Sequence, residues 1–103
     1  MHNIYVKPTR LYKDGRINVS KIFKDGDWVV VGRDKDGYIK MEKVEVDLEN
    51  IICISRVRDG ILNLGKKGKE EISDILNLDD DRLVVIVKFK DYAIIGKGDR
   101  YVL

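Results

Sequence analysis

The sequence predicts a single, mainly β domain with one short helix, and three observations carry this prediction. Short apolar or alternating runs are separated by Asp-Gly and Gly-Asp pairs, which is the pattern of strands joined by tight turns. Only one stretch has apolar residues at helical spacing. One pattern of residues also occurs twice, so within the 103-residue domain we expect repeat one at about residues 4–46 and repeat two at about residues 50–103.

Three Asp-Gly pairs predict the turns of three hairpins. Aspartate and glycine tolerate the positive φ angle that a tight hairpin turn requires. The three pairs are Asp14-Gly15, Asp36-Gly37 and Asp59-Gly60.

Runs of β-branched residues predict the strands. The run that opens at Trp28 and residues 83–87 have the length and composition of buried strands. Residues 51–57 predict another strand, and the stretch of residues 92–103 predicts a closing hairpin. Because Trp28 begins a valine run, we expect its ring in the core, whereas the tyrosines are open to either a core or a base-stacking role.

The helix is predicted within residues 66–78. Ile72, Ile75 and Leu76 fall on one face, with Glu70 and Glu71 near the start, where acidic side chains favour a helix. No other stretch has this spacing.

The repeat becomes visible when the chain is compared with itself. An offset of 45 residues aligns Ile17 with Leu62, and an offset of 54 residues aligns residues 29–31 with residues 83–85. The extra length falls where repeat two carries its helix and repeat one has only residues 20–23. We therefore expect two halves of one pseudo-symmetric core, the alternative being a chance match between short runs anchored on Asp-Gly.

The repeated residues follow the order Gly-Arg-apolar-x-apolar, a short amphipathic segment, Gly-Asp, and alternating apolar residues. The pattern resembles the AbrB/SpoVT/MraZ family of swapped-hairpin β-barrels. It departs from the family pattern in having Ser20 and Gly65 in place of proline and Ile61 in place of arginine. The matching positions are Gly15, Arg16, Ile17, Val19, Gly26 and Asp27 in repeat one, and Gly60, Leu62, Leu64, the helix through Leu76, and Asp80-Asp81 in repeat two.

The resemblance implies a fold and a function. Family members with one copy form dimers whose hairpins interleave into one barrel, so two copies in one chain imply a small pseudo-twofold β-barrel. This chain would be a monomeric pseudo-dimer, or a homodimer, and the covalent link would save association entropy. The family also implies a transcriptional regulator, or an antitoxin that represses its own operon.

The charge pattern favours a nucleic-acid partner. The formal net charge is only +2, so distribution matters more than the total. Residues 1–24 carry +5 and residues 55–69 carry +4, whereas residues 70–81 contain six acidic side chains and no basic one. Two basic segments at equivalent positions predict a basic face that binds duplex DNA by releasing counterions. The alternative is that these side chains only solvate the hairpins.

We expect the basic side chains to bind mainly phosphates, with Arg16 the best candidate for a base edge. The glycines and lysines before the helix predict either an anion site at the helix N-terminus or a flexible connection. The expected DNA-binding residues are Arg10, Lys13, Arg16, Lys21, Arg56, Arg58, Lys66 and Lys67.

A protein-interaction module without nucleic-acid binding is the competing function. It would dock a protein partner on the acidic helix, which this prediction begins at Glu70 and ends at Leu78. An antitoxin-like or assembly role would fit such a module.

Nothing in the sequence predicts an enzyme, a metal or a cofactor. Residues 60–67 approach a phosphate-binding loop, but Lys67 stands where a Mg²⁺-binding hydroxyl is required. The single histidine, His2, is expected to be disordered at the terminus, and Cys53 lies among isoleucines as a small core residue. The run of residues 79–81 is expected to be a solvated turn.

The composition carries the expectation about location. There is no leader-like segment at the start and no long apolar span, and the single cysteine cannot form an internal disulfide. We therefore expect a cytoplasmic protein that does not enter a membrane. The absence of glutamine and the abundance of lysine, aspartate, isoleucine and valine suggest a heat-adapted, thermophile source.

Overall fold

The computed structural model describes residues 4–43 and 50–98, which form eight strands and one helix. The described part of the chain is mainly β with one helix, as predicted. In chain order the elements are β1 (Tyr5–Arg10), β2 (Arg16–Asn18), β3 (Trp28–Arg33), β4 (Ile39–Lys43), β5 (Asn50–Arg56), β6 (Ile61–Asn63), α1 (Gly65–Leu76), β7 (Leu83–Lys88) and β8 (Ala93–Lys97).

Six strands form one antiparallel sheet in the order β1-β7-β8-β4-β3-β5. The first strand of the chain therefore pairs with a late one, and Lys7 lies opposite Ile86. On the other side, β5 pairs with β3, and Val30 lies opposite Ile54. The sequence pattern predicts no strand at β1, whose segment contains Pro8. The hydrogen-bonding partner of β1 is β7, which is distant in the sequence, so no neighbouring strand is required for β1 to form.

The remaining strands, β2 and β6, form a short antiparallel ladder of their own. Ile17 and Leu62 are partners in this ladder, and both side chains are fully buried. Single bridges join Leu11 to Ile17 and Arg58 to Ile61. The ladder is thus tied to the ends of β1 and β5.

All three predicted turns are present. Gly15, Gly37 and Gly60 have φ angles of 96°, 88° and 74°, in the region that glycine adopts without strain. In the turn between β3 and β4, Asp34 Oδ1 accepts hydrogen bonds from the N–H groups of Asp36 and Tyr38. Aspartate therefore stabilises this turn through its side chain.

The helix is displaced from its predicted bounds. It begins at Gly65 and ends at Leu76, because Asn77 adopts a left-handed conformation with φ of 52°. The prediction that it runs to Leu78 is wrong, and the first turn contains no acidic residue. Ile72 is fully buried, so the predicted apolar face packs on the core.

The expectation that Trp28 belongs to the core is wrong, since 53% of it is exposed. It is the first residue of β3, opposite Arg56 of the edge strand β5. Val30, two residues along on the same side of the strand, is buried. The side chains that pack over this face of the sheet at Val30 therefore do not extend over Trp28.

One hydrophobic core joins the ladder, the sheet and the helix. Within the described ranges, the chain forms no helix with the length and apolar character that a membrane crossing requires. Several sequence predictions lie outside the described residues, namely those on His2 and Tyr101 and on residues 44–49 and 99–103 of the two repeats and the closing hairpin. The core side chains are Leu11, Ile17, Val19, Ile22, Val29, Val31, Ile39, Met41, Val57, Leu62, Leu64, Ile72, Val84, Ile86, Ala93 and Ile95.

Candidate nucleic-acid interface

The β2–β6 ladder has a buried face and an outward face. Its central residues, Ile17 and Leu62, point into the core, so their neighbours along each strand point outward. Arg16 and Asn63 are partners in the ladder and both are exposed. The outward face thus presents a guanidinium next to an amide, two groups that read base edges in DNA complexes.

All eight basic residues predicted from the sequence are exposed. Three lie in or beside turns, two at the ends of sheet strands, and three in the segments that follow the ladder strands. In that order they are Lys13, Arg16 and Arg58; Arg10 and Arg56; and Lys21, Lys66 and Lys67.

At one end of the ladder, the turn of the first half meets the start of the helix from the second half. The Leu64 N–H donates a hydrogen bond of 2.8 Å to the Gly15 carbonyl. The chain that carries Lys13 therefore runs beside the chain that leads into Lys66 and Lys67. With Arg16, which pairs with Asn63 at the same end, four of the predicted residues belong to this end of the ladder.

At the other end of the ladder, the turn comes from the second half of the chain and the neighbouring segment from the first half. The Val19 N–H donates a hydrogen bond of 2.8 Å to the Gly60 carbonyl, so the turn next to Arg58 runs beside the segment that contains Lys21. The sequence predicts one basic cluster in each half of the chain. The structure instead builds each end of the ladder from both halves, because antiparallel pairing brings a turn of one half to the strand exit of the other.

Arg16 is oriented by its own turn. Its Nε lies 2.6 Å from Asp14 Oδ2, and its backbone N–H donates a hydrogen bond to Asp14 Oδ1 at 3.1 Å. The side chain is nevertheless 57% exposed. One of five guanidinium N–H donors is engaged by this ion pair, so the others remain for a ligand.

Arg10 and Arg56 are the last residues of the sheet strands β1 and β5, and they lie outside the ladder strands and the turns and segments that flank them. Arg10 ends β1, opposite Leu83. Arg56 donates from Nε to the Gly26 carbonyl at 3.3 Å, and its guanidinium carbon lies 6.0 Å from the centre of the Trp28 ring. These contacts hold Arg56 against an exposed aromatic side chain.

Acidic side chains occupy the later part of the helix and the following turn. Glu70, Glu71 and Asp74 are exposed, beyond the lysines of the first helical turn. Residues 79–81 are exposed too and form the predicted turn, in which the Arg82 N–H donates to the Asp79 carbonyl. Positive charge therefore lies at the helix end next to the ladder, and negative charge lies farther along.

Cys53 is half-buried and packs against the core, which agrees with its predicted packing role. Burial, with a smaller contribution from the negative charge of Glu71, raises the pKa of the Cys53 thiol to about 11. A thiol of this kind stays protonated at neutral pH. In the part of the chain that the structure describes, no group of three or more His, Cys, Asp or Glu side chains could hold a metal ion.

Asn63 is not among the site residues predicted from the sequence. The signal was present, because the offset that aligns Ile17 with Leu62 also aligns Asn18 with Asn63. Its place opposite Arg16 depends on the register of the ladder, which the sequence alone does not specify.

Comparison of the chain with protein-family models, with curated proteins and with solved structures found no match.

Proposed function

We propose that this protein is a non-enzymatic, DNA-binding transcriptional regulator with a swapped-hairpin β-barrel, whose β2–β6 ladder enters the major groove of duplex DNA. The observation that carries the proposal is the exposed pair of Arg16 and Asn63 on a two-stranded ribbon with basic residues at both ends. A two-stranded ribbon is one of the elements that the major groove admits.

The strand exchange supports the swapped-hairpin part of the proposal. The first strand of the first half, β1, pairs with β7 of the second half, and β5 of the second half pairs with β3 of the first. Within such an exchange each half completes the sheet of the other. The covalent pseudo-dimer implied by the family resemblance would have this interleaved arrangement.

The pairing registers support a pseudo-twofold relation between the halves. In the β2–β6 ladder, the offset of 45 residues exchanges the two strands and leaves the central pair, Ile17 and Leu62, in register. In the β4–β8 ladder, the offset of 54 residues does the same around Lys40 and Ile94. Two ladders that map onto themselves under the offsets of the repeat argue against a chance match.

Local hydrogen bonds support the same relation. Asn18 Oδ1 accepts a hydrogen bond of 2.9 Å from the Ser20 N–H. Asn63 Oδ1 accepts one of 2.9 Å from the Gly65 N–H. Each donor lies two residues after its asparagine, at positions aligned by the offset of 45 residues. The two halves thus leave the ladder through the same local structure.

Single bridges support closure of the barrel. Around the molecule, β1 is joined to β2 by Leu11 and Ile17, β2 to β6 by their ladder, and β6 to β5 by Ile61 and Arg58. The six-stranded sheet completes the circuit from β5 back to β1. We infer a small eight-stranded barrel in which the two bridges are the narrowest connections.

The size of the ladder fits the proposed docking. Gly15 and Val19 mark its two ends, and a strand of this length spans roughly 13 Å at about 3.3 Å per residue. The major groove is about 12 Å wide. The lysines and arginines at the two ends would therefore meet the phosphates on opposite sides of the groove, while Arg16 and Asn63 face the bases.

A titration of fluorescently labelled random-sequence duplex tests the proposal. Binding is expected at about 50 mM salt and micromolar protein, with a log-log salt slope of about −0.9 for each phosphate neutralised. The absence of binding under these conditions would refute it. The protein-interaction module would then take its place, and the exposed Trp28, Ile51 and Ile54 on β3 and the edge strand β5 favour a contact surface there.

A further inference from the structure

A cavity of about 660 Å³ lies where the β7–β8 turn approaches the segment that follows β2. It is lined by residues 21–24, by residues 88–92, and by Asp27 and Lys43. Its volume falls within the range of about 300–1,000 Å³ that small-molecule sites occupy. Among the lining residues, Lys21 alone belongs to the set predicted from the sequence to bind DNA.

The cavity is strongly basic. Five of its eleven lining residues are lysines and two are aspartates. Asp27 is already engaged, because Oδ2 accepts a hydrogen bond from the Lys24 N–H at 2.9 Å and lies 3.6 Å from Lys43 Nζ. Lys88 and Lys90 have no ion-pair partner among residues 4–43 and 50–98, so their charge is available to a ligand.

Aromatic rings form another part of the wall. Phe89 and Tyr92 are stacked, with ring centres 5.0 Å apart, and Phe23 packs against the core. Lys40 Nζ lies 4.3 Å from the centre of the Tyr92 ring. Lys40 is fixed in turn by the buried Glu42, whose Oε1 is 2.7 Å away, and this hydrogen bond raises the pKa of Lys40. These contacts therefore hold the aromatic part of the cavity wall in a fixed arrangement before a ligand binds.

We propose that this cavity binds a small anion that carries a planar ring, of the nucleoside phosphate class. Ammonium groups bind phosphate oxygens, and aromatic side chains provide a surface for a base. The cavity brings both together at the size of one such ligand. This inference goes beyond the proposed function, because it requires neither DNA nor the β2–β6 ladder.

Isothermal titration of the purified protein with ATP and GTP, in the absence of DNA, tests the inference. We expect saturable binding of one ligand per chain, at least about tenfold tighter than the binding of pyrophosphate or adenosine alone, because each lacks one half of the recognition. Binding of pyrophosphate as tight as that of ATP would overturn the proposal in favour of a simple anion site. No saturation of either nucleotide at about 1 mM would overturn it outright.

Variants locate the binding. Lys88→Ala, Lys90→Ala and Phe89→Leu are each expected to weaken ATP binding at least about fivefold, since each removes a contact to a charged or stacked group. The matched controls are Lys35→Ala and Tyr38→Ala in the β3–β4 turn, which lies outside the cavity.

Two results of the variant series would overturn the proposal. The first is equal weakening by the control and cavity variants. The second is that a single-stranded oligonucleotide binds more tightly than ATP through the same lysines and displaces it. The cavity would then be part of a surface that binds single-stranded nucleic acid. Thermal melting of each variant identifies any that fail to fold, and the remaining variants decide the outcome.

Discussion

Ile17 and Leu62 lie opposite each other at the centre of the β2–β6 ladder, and neither side chain has any exposed surface. One comes from the first half of the chain and one from the second. The ladder is short, with three residues in each strand, so its stability depends on this buried pair more than on its hydrogen bonds. The candidate interface on its outward face therefore depends on packing between the halves.

Truncation of the pair should destabilise the whole domain. Ile17→Ala and Leu62→Ala are each expected to cost about 2–5 kcal/mol of the free energy of unfolding, the range for large buried aliphatic side chains. The double variant should cost less than the sum, because the two residues share one contact. Urea denaturation measures all three values, and a cost below about 1 kcal/mol for either single variant would contradict this account of the core.

Two glycines offer a sharper test of the ladder turn. A Cβ at Gly15 would overlap the Gly65 carbonyl, whereas the nearest atom to a Cβ at Gly37 is Arg33 Nη2 at 3.7 Å. Both residues have positive φ angles. Gly37→Ala is therefore expected to cost about 1–2 kcal/mol from conformation alone, and Gly15→Ala at least about 2 kcal/mol more. Chemical denaturation of the two variants compares them, and equal costs would show that the close approach at Gly15 is not maintained in solution.

Trp28 should contribute little to stability. Because 53% of the residue is exposed, Trp28→Ala is expected to lower the free energy of unfolding by about 1 kcal/mol or less. The tryptophan fluorescence of the native protein should also be accessible to an aqueous quencher such as iodide. A loss of about 3–5 kcal/mol, typical of a buried aromatic side chain, would contradict the exposed position.

The Cys53 thiol should react slowly at neutral pH. Its pKa is raised from 9.0 to about 11 in the folded protein, so the thiolate fraction at pH 8 is roughly a hundredfold lower than in the unfolded chain. Iodoacetamide labelling should be correspondingly slower in native buffer than in urea, and it should accelerate toward pH 11. Glu71→Gln is expected to increase the native rate, because it removes a negative charge that disfavours the thiolate. Equal native and unfolded rates at pH 8 would refute this environment.

The same shift predicts the direction of a stability change in alkali. The folded pKa lies above the unfolded value, so the unfolded chain loses its proton first as the pH rises. The contribution of Cys53 is therefore complete below about pH 9 and declines between about pH 9 and pH 11. Cys53→Ala should flatten the dependence of the unfolding midpoint on pH across this window, and an unchanged dependence would contradict the assignment.

Local features of the fold were predictable from the sequence. The three Asp-Gly turns depend on neighbouring residues alone, and the apolar spacing of the helix fixed the face on which Ile72 lies. The last residue of the helix was not predictable. The helix ends because Asn77 adopts a left-handed conformation, and the apolar spacing does not indicate which residue will do so.

Non-local features were beyond sequence analysis. The pairing of β1 with β7 joins the two ends of the chain, and no periodicity within either segment encodes it. For the same reason the basic residues were grouped by half of the chain, although Gly15 meets Leu64 and Gly60 meets Val19 across the ladder. The prediction for Trp28 is wrong because a valine run predicts a buried strand but does not indicate which of its residues the rest of the protein buries.

We propose that both ends of the β2–β6 ladder contact DNA phosphates, each end being built from the two halves of the chain. The decisive measurement is the salt dependence of duplex binding for two double variants. Lys13→Ala with Lys66→Ala removes charge from one end, and Arg58→Ala with Lys21→Ala removes it from the other. Arg33→Ala with Lys35→Ala removes the same charge from the exposed β3–β4 hairpin, outside both the ladder and the cavity, and serves as the control. Each of the first two double variants is expected to flatten the log-log slope by about 1.8, because each removes two phosphate contacts, and the control is expected to leave it nearly unchanged. Unchanged slopes in both ladder variants, or equal flattening by the control, would show that the ladder ends do not bind DNA phosphates.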